Sequence, residues 1–298
     1  TLIICYNIGI IRNKGVDNMG YKKTGQKKQE VNKFMQDLEN GVKGVFESGK
    51  YQEYLNFCSR FHNYSYGNIV LIMLQNPYAS QVASFTTWNK LGFKIKKGSK
   101  ALKILCPVKY NTIVEEDGEE VVKSHLYFKL GNVFDISQVE GNKPSLVSEL
   151  KGSDKEIKEL IRYAINNSEV AITMDESLNN DTANGYYDLL SRDIHVKASL
   201  DDLHKLKTII HELAHSILHC SLDNELSRAT KEVQAESIAY IVCRGLGLNT
   251  EDYSFGYVAG WSKGKELKEL KDSLDIICKT SKKILDFFQK TVDNNSIM

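Results

Sequence analysis

His211-Glu212-Leu213-Ala214-His215 is an HExxH motif within a run of apolar residues spaced as in an amphipathic helix. Two histidines four residues apart on a helix project from the same face, where both imidazoles can reach one Zn²⁺. The glutamate between them stands beside a metal-bound water, whose pKa falls to about 7, and can take its proton. The motif predicts a zinc hydrolase in which His211 and His215 are metal ligands and Glu212 is the catalytic base.

A second helical run, Lys231 to Tyr240, offers the third ligand. Glu232 and Glu236 are four residues apart in it, so both carboxylates lie on one helix face. One can ligate zinc while the other hydrogen-bonds a ligating imidazole. We assign Glu232 as the ligand and Glu236 as its supporting partner or alternative ligand. His219 continues the four-residue series but drifts around the helix, which favours a packing or supporting role.

A β-hairpin is predicted just before the motif, from Asn184–Asp188 and Ser191–Val196. The exposed edge of such a hairpin can pair with an extended peptide through its free N–H and C=O groups. Aromatic residues in a strand are more often cross-strand packing than catalytic groups. Tyr186, Tyr187 and His195 are therefore not assigned a catalytic role.

The bulk properties are those of a globular protein with room for two domains: 298 residues, of which 42% are hydrophobic and 26% charged. Six cysteines without a CxxC pair predict reduced thiols and a cytoplasmic protein. No segment approaches the roughly 18 apolar residues of a membrane span. Residues 1–19 are expected to be a leader or disordered segment, with natural translation starting at Met19.

The predicted fold class is α+β in two domains. The first, residues 20–145, begins with three helices and continues with strands, and the second, residues 155–298, contains both candidate metal helices. Residues 146–154 have the composition of a linker. The strands predicted in the first domain are Lys103–Cys106, Asn111–Val114, Glu120–Val122 and Leu126–Lys129, with a hairpin turn at Glu116-Asp117-Gly118.

The first domain is strongly basic in its middle, because no aspartate or glutamate lies between Tyr54 and Val114. A surface of one sign suggests a polyanionic partner. Single-stranded nucleic acid is bound by aromatic rings that stack on bases and by lysines that neutralise phosphates. The candidates are Tyr64, Tyr66, Asn68, Trp88, Lys90, Lys94, Lys96, Lys97, Lys100 and Lys103. The alternative, that Trp88 and Phe93 are core residues and the lysines a solvated hairpin, remains open.

Several motifs in order resemble the N-terminal domain of ArdC-type antirestriction proteins, which is also found in LtrC-like proteins of conjugative elements. Gly67 departs from the pattern, where a bulkier residue is expected. The C-terminal half is similar to ImmA/IrrE-type zinc peptidases, in which the equivalent of Glu232 is the third ligand. The N-terminal motifs are Tyr64-Ser65-Tyr66-Gly67-Asn68-Ile69, Gln75-Asn76-Pro77, Phe85-Thr86-Thr87-Trp88, Leu91-Gly92, Lys96-Lys97-Gly98 and Val133-Phe134-Asp135-Ile136-Ser137-Gln138.

This resemblance implies a mobile-element protein that binds single-stranded DNA and protects it from restriction as it enters a cell during conjugation. Its zinc domain is expected to be an endopeptidase that acts on an unidentified protein or peptide. The alternative is a DNA-binding protector whose metal site is structural or inactive. Glu212 favours the peptidase, since a structural zinc needs ligands but no base.

Overall fold

The computed structural model describes residues 20–47, 50–116, 119–141, 153–221, 226–256 and 258–295. The predicted leader, residues 1–19, lies outside these residues. So do residues 117–118 of the predicted turn and most of the predicted linker. The described chain is a mixed helix and sheet fold, as predicted.

The N-terminal half begins with helices α1 (Gly20–Glu47), α2 (Tyr51–Arg60) and α3 (Tyr66–Gln75), followed by the short α4 (Phe85–Lys90). Ser65 and Ser84 cap α3 and α4 by accepting hydrogen bonds from backbone N–H groups in the first turn. Gly67 lets α3 approach α1 closely, because a Cβ there would lie 3.1 Å from a methyl carbon of Leu38. Close packing between α3 and α1 thus explains why residue 67 is glycine and not the bulkier residue expected from the family pattern.

Two antiparallel sheets follow, built from β1 (Val82–Ala83), β2 (Lys94–Ile95), β3 (Leu102–Glu116), β4 (Glu119–Asp135) and β5 (Val139–Glu140). Their strand orders are β1-β4-β3 and β2-β5. The prediction of four short strands was wrong, since β3 and β4 pair without interruption from Leu102↔Val133 to Glu116↔Glu119. Pro107 is tolerated because β3 is an edge strand. We call the β3–β4 hairpin the arm.

The C-terminal half contains α5 (Asp154–Asn167), β6 (Ile172–Asp175), β7 (Gly185–Tyr187), β8 (Ile194–Lys197), α6 (Asp202–Leu218), α7 (Arg228–Gly245), α8 (Val258–Ser262) and α9 (Leu267–Asn295). The predicted hairpin is confirmed as the antiparallel pair β7–β8. Strand β6 pairs in parallel with the other edge of β8. Because the order is β6-β8-β7, β7 is one of the two edge strands of this sheet.

Helices α1, α2 and α3 share a hydrophobic core with the C-terminal half. Tyr51 of α2 hydrogen-bonds Ser237 of α7 through their hydroxyl oxygens, 2.8 Å apart. The rings of Phe46 and Trp261 lie 5.9 Å apart, and the hydroxyl of Tyr54 contacts the Cys278 thiol at 3.3 Å. The two domains are therefore joined by buried packing as well as by the chain between them.

Candidate metal centre

The HExxH motif occupies the last two turns of α6, which begins at the N-cap Asp201. The opposite face of this helix is fully buried at Leu206, Ile209 and Ile210 and fixes its rotation. Helix α7 is held in the same way by its buried residues, which include Val233 and Ala235. The remaining faces of α6 and α7 turn the histidines and Glu232 toward one another.

Three ligand-type atoms converge between these helices: Nε2 of His211, Nε2 of His215 and Oε2 of Glu232. The two nitrogens are 3.1 Å apart, and the carboxylate oxygen lies 3.5 Å from His211 and 3.8 Å from His215. Atoms bound at about 2.0–2.1 Å to one tetrahedral zinc lie about 3.3 Å apart. The triangle therefore has the size that a zinc ion requires.

Glu236 contacts the other nitrogen of His211, with Oε2 3.2 Å from Nδ1. This contact would keep a proton on Nδ1 of His211 when Nε2 ligates a metal. Burial by itself would lower the pKa of His211, but hydrogen bonds with Glu232 and Glu236 outweigh it and raise the pKa to about 10. The same histidine contacts hold the pKa of Glu232 well below its ordinary value.

His215 is supported by a hydrogen-bond chain in the opposite direction. Its Nδ1 lies 2.9 Å from Nδ1 of His219, whose Nε2 lies 3.1 Å from Oε1 of Gln234. Burial lowers the pKa of His219 to about 4, so this ring is neutral near pH 7. If Nε2 of His215 ligates, its Nδ1–H donates to His219, and the proton of His219 points to Gln234. Each ring nitrogen of His215 and His219 then has a partner.

Glu212 lies beside the ligand triangle and is itself buried. Burial raises the pKa of its carboxyl group, whereas His211 and His215 act in the opposite direction. A backbone hydrogen bond from Tyr187 of β7 reaches the same carboxylate. The motif's glutamate is thus anchored to the edge strand and has the raised pKa that suits a proton carrier.

A cavity of about 350 Å³ opens next to His211 and Glu212. Most of the residues that line this cavity were not predicted from the sequence. Lys207 is buried one helical turn before His211, and its Nζ lies 2.6 Å from Oδ2 of Asp252. The spacing of Lys207 from His211 could have identified it. Asp252 and Tyr253 reach the cavity through tertiary packing alone.

Strand β7 forms another wall of this cavity at Gly185. A Cβ at Gly185 would lie 2.6 Å from both the carbonyl oxygen of His195 and a methyl carbon of Thr208, so only glycine fits. The rings of Tyr186 and His195 stack with centroids 4.9 Å apart, in the predicted cross-strand packing. Because Nδ1 of His195 also contacts Asp175 at 3.0 Å, this histidine is held within the sheet.

The aromatic and amide candidates of the N-terminal half are structural. Trp88 is only 2% exposed, and its Nε1–H donates to the carbonyl of Phe134, so the proposed base stacking by Trp88 was wrong. The side chain of Asn68 makes two hydrogen bonds with the backbone of Leu105: it donates to the carbonyl and accepts from the N–H. Tyr64 donates to the carbonyl of Val82, and Tyr66 packs half-buried against the main core.

The lysine candidates lie at the surface near the base of the arm. Lys90, Lys94, Lys97 and Lys100 are exposed. Nζ of Lys96 donates to the carbonyl of Ser137, and Nζ of Lys103 donates to Oδ1 of Asn132. These lysines remain candidates for phosphate contacts, whereas Trp88 is buried and Tyr64 and Tyr66 are half-buried. Within the described residues, no helix is long and apolar enough to cross a membrane.

Comparison with known protein families identifies both halves. Residues 25–134 match the N-terminal domain of the anti-restriction factor ArdC, and residues 170–243 match the IrrE N-terminal-like domain of M78 peptidases. The resemblance drawn from the motifs is thereby confirmed. The chain therefore matches the N-terminal domain of ArdC in its first half and a peptidase-like domain in its second half.

Individual proteins are also similar to the chain. The chain is 26% identical to the uncharacterized protein pXO2-81 of Bacillus anthracis, over 90% of this chain and 52% of that protein. It thus spans about half the length of this relative. The metal-free crystal structure of the antirestriction protein ArdC from plasmid R388 is 22% identical, with a TM-score of 0.52, over 76% of this chain and 85% of that one. The Mn(II)-bound structure of the same ArdC protein gives a TM-score of 0.44, at 21% identity over 76% and 83% of the two chains.

Proposed function

We propose that this protein is an antirestriction factor of a mobile genetic element that binds single-stranded DNA and is a zinc-dependent endopeptidase. The convergence of His211, His215 and Glu232 beside the buried Glu212 carries the peptidase part. A structural zinc would need the three ligands but would have no use for a buried glutamate at this position. The ArdC-type N-terminal domain and its acid-free basic segment support the DNA part.

The residues fit a zinc site in donor chemistry, in spacing and in the hydrogen bonds that orient both imidazoles. A zinc ion bound there supplies a Lewis acid and lowers the pKa of a coordinated water to about 7. His211 and His215 would hold it through Nε2, and Glu232 through Oε2.

The protein's own groups would then act on a peptide as follows. The open edge of β7 pairs with an extended substrate and sets its carbonyl beside Glu212. The Glu212 carboxylate takes a proton from the attacking water and delivers it to the leaving amine, a dual role that its raised pKa favours. We place this activity in the cytoplasm, where the free cysteines of the described residues, Cys58, Cys106, Cys220, Cys243 and Cys278, stay reduced.

The test compares the full-length wild type with Glu212→Gln. Both should contain one zinc per chain by elemental analysis, and only the wild type should cleave a peptide library read by mass spectrometry. The expected loss is about 10²- to 10⁴-fold, the usual contribution of a general base. The exposed Glu169→Gln is a matched control that should retain activity.

Equal cleavage by wild type and Glu212→Gln would place the activity elsewhere. Zinc without cleavage in either protein would favour the DNA-binding protector with an inactive metal site. The DNA part is tested by fluorescence anisotropy of a labelled oligodeoxythymidine, whose affinity should fall steeply with salt.

A further inference from the structure

The arm carries aromatic side chains that are not used in the core. Tyr110 and Tyr127 are 47% and 49% exposed. Tyr110 is paired with His125 and Val108 with Tyr127 in the β3–β4 register. Since side chains alternate between the two faces of a strand, Tyr110, His125 and Tyr127 lie on the same face of the arm. We call this the aromatic face.

The three rings of the aromatic face form one continuous platform. Tyr110 stacks on His125 with centroids 5.0 Å apart and planes 22° apart. Tyr127 meets Tyr110 edge to face at 5.8 Å. Nε2 of His125 also lies 2.8 Å from the hydroxyl of Thr112 on the same face, which fixes the orientation of this ring. The platform is therefore ordered before any ligand arrives.

Lysines flank the rings at a spacing of two residues. Lys123, His125, Tyr127 and Lys129 follow one another on the aromatic face of β4. In the sequence of the arm, the acids are confined to residues 115–120 and Asp135. The middle of the arm is therefore purely basic, and its charge complements phosphate.

The opposite face of the arm differs in chemistry, although it is equally accessible. It carries the aliphatic residues Ile113, Val122 and Leu126, of which Ile113 is 66% and Leu126 is 55% exposed. Aliphatic side chains offer no π-face on which a base can stack. Only the aromatic face combines exposed rings with lysines.

We propose that the aromatic face binds single-stranded DNA, with bases stacked on Tyr110 and Tyr127 and phosphates at Lys123 and Lys129. This assignment rests on the proposed single-stranded DNA binding and gives it a site distinct from the buried Trp88. Unpaired bases are required, because the bases of a duplex are already stacked on one another and cannot cover the rings.

The test uses the full-length protein and a fluorescein-labelled oligodeoxythymidine in anisotropy titrations. Tyr110→Ala combined with Tyr127→Ala should weaken binding about 5- to 150-fold for each base that stacks. Tyr110→Phe combined with Tyr127→Phe should bind as the wild type, since the rings remain. Leu126→Ala combined with Ile113→Ala removes similar exposed area from the opposite face and should have no effect.

A second pair of variants tests the phosphates. Lys123→Ala combined with Lys129→Ala should reduce the salt slope of log Kd by about 0.7 for each phosphate that is no longer neutralised. Lys109→Ala, on the opposite face, is the control for a general loss of charge. Thermal unfolding of each variant verifies that the arm and core are intact.

The outcomes separate this proposal from the proposed function. Wild type that binds single strands equally with and without the two tyrosine rings overturns the aromatic face and leaves single-stranded DNA binding in place. An equal loss in the aliphatic control also overturns it, because the effect would then come from the arm's stability. If a labelled duplex binds as tightly as the single strand and loses as much affinity when the two rings are removed, base stacking is overturned. Wild type that does not bind single strands at low salt overturns both the aromatic face and the DNA-binding part of the proposed function.

Discussion

Removing the carboxylate of Glu236 should weaken zinc binding without removing a ligand. In the structure this carboxylate makes one ion pair, 3.2 Å from Nδ1 of His211, and does not reach the ligand triangle. The loss of such a supporting bond typically lowers metal affinity 10- to 100-fold, or about 1.4–2.7 kcal/mol. Glu236→Ala should fall in this range. Glu236→Gln keeps an oxygen acceptor but removes its charge. This variant should lose about half as much free energy of zinc binding as Glu236→Ala.

Competition with a chromophoric chelator at constant pH measures these affinities directly. Glu232→Ala, which removes a ligand, should lose more affinity than either Glu236 variant. Glu169→Ala, an exposed acid of the same charge, should bind zinc as the wild type does. Zinc binding that survives Glu232→Ala but not Glu236→Ala would show that the roles of the two carboxylates are exchanged. Unchanged affinity in Glu236→Ala would refute the supporting role.

Three further predictions follow from the contacts around the site and in the N-terminal core. His219→Ala removes the acceptor of the His215 Nδ1 proton and should weaken zinc binding about tenfold in the same chelator assay, which an unchanged affinity would contradict. The pKa of His211 is about 10 without metal, so zinc must displace a proton from this residue. For that proton alone, the apparent zinc affinity should rise about tenfold per pH unit between pH 7 and 9. Calorimetry in buffers of different ionisation enthalpy should detect the release of the proton. Trp88→Ala empties a buried site and should lower the free energy of unfolding by about 3–5 kcal/mol in urea titrations, whereas a stacking residue on the surface would leave stability unchanged.

The sequence was most informative where periodicity and chemistry coincide. The apolar spacing around His211 and Glu232 predicted α6 and α7, because one face of each helix is buried and the other carries the site. The arm was predicted less well. Its four expected strands were separated at Pro107 and at Lys123-Ser124-His125, where the apolar pattern fails. The ribbon continues through these residues because backbone pairing, and not burial, holds it together.

The residues missed at the site reach it by tertiary packing. Gln234 lies on a buried face of α7. The sequence shows an amide at this position but does not show that its hydrogen-bond partner is His219. Asp252 follows α7 and returns to Lys207, an ion pair across 45 positions that no local spacing encodes. Trp88 illustrates the same limit. Its surroundings in the sequence suit either a core or a nucleic-acid surface, and the hydrogen bond to the distant Phe134 decides for the core.

The buried contacts of α1 and α2 with the C-terminal half restrict how such a gene can recombine. A crossover within residues 142–152 would exchange the ArdC-type domain as a cassette, yet it would set unrelated helices against α7, α8 and α9. The hydroxyl of Ser237 would be left without Tyr51, and Trp261 without Phe46. A viable chimera must therefore inherit α1 and α2 together with α7 to α9. Residues 107–115 and 121–127 of the arm contribute no side chain to this shared core, so this part of the arm can be exchanged on its own.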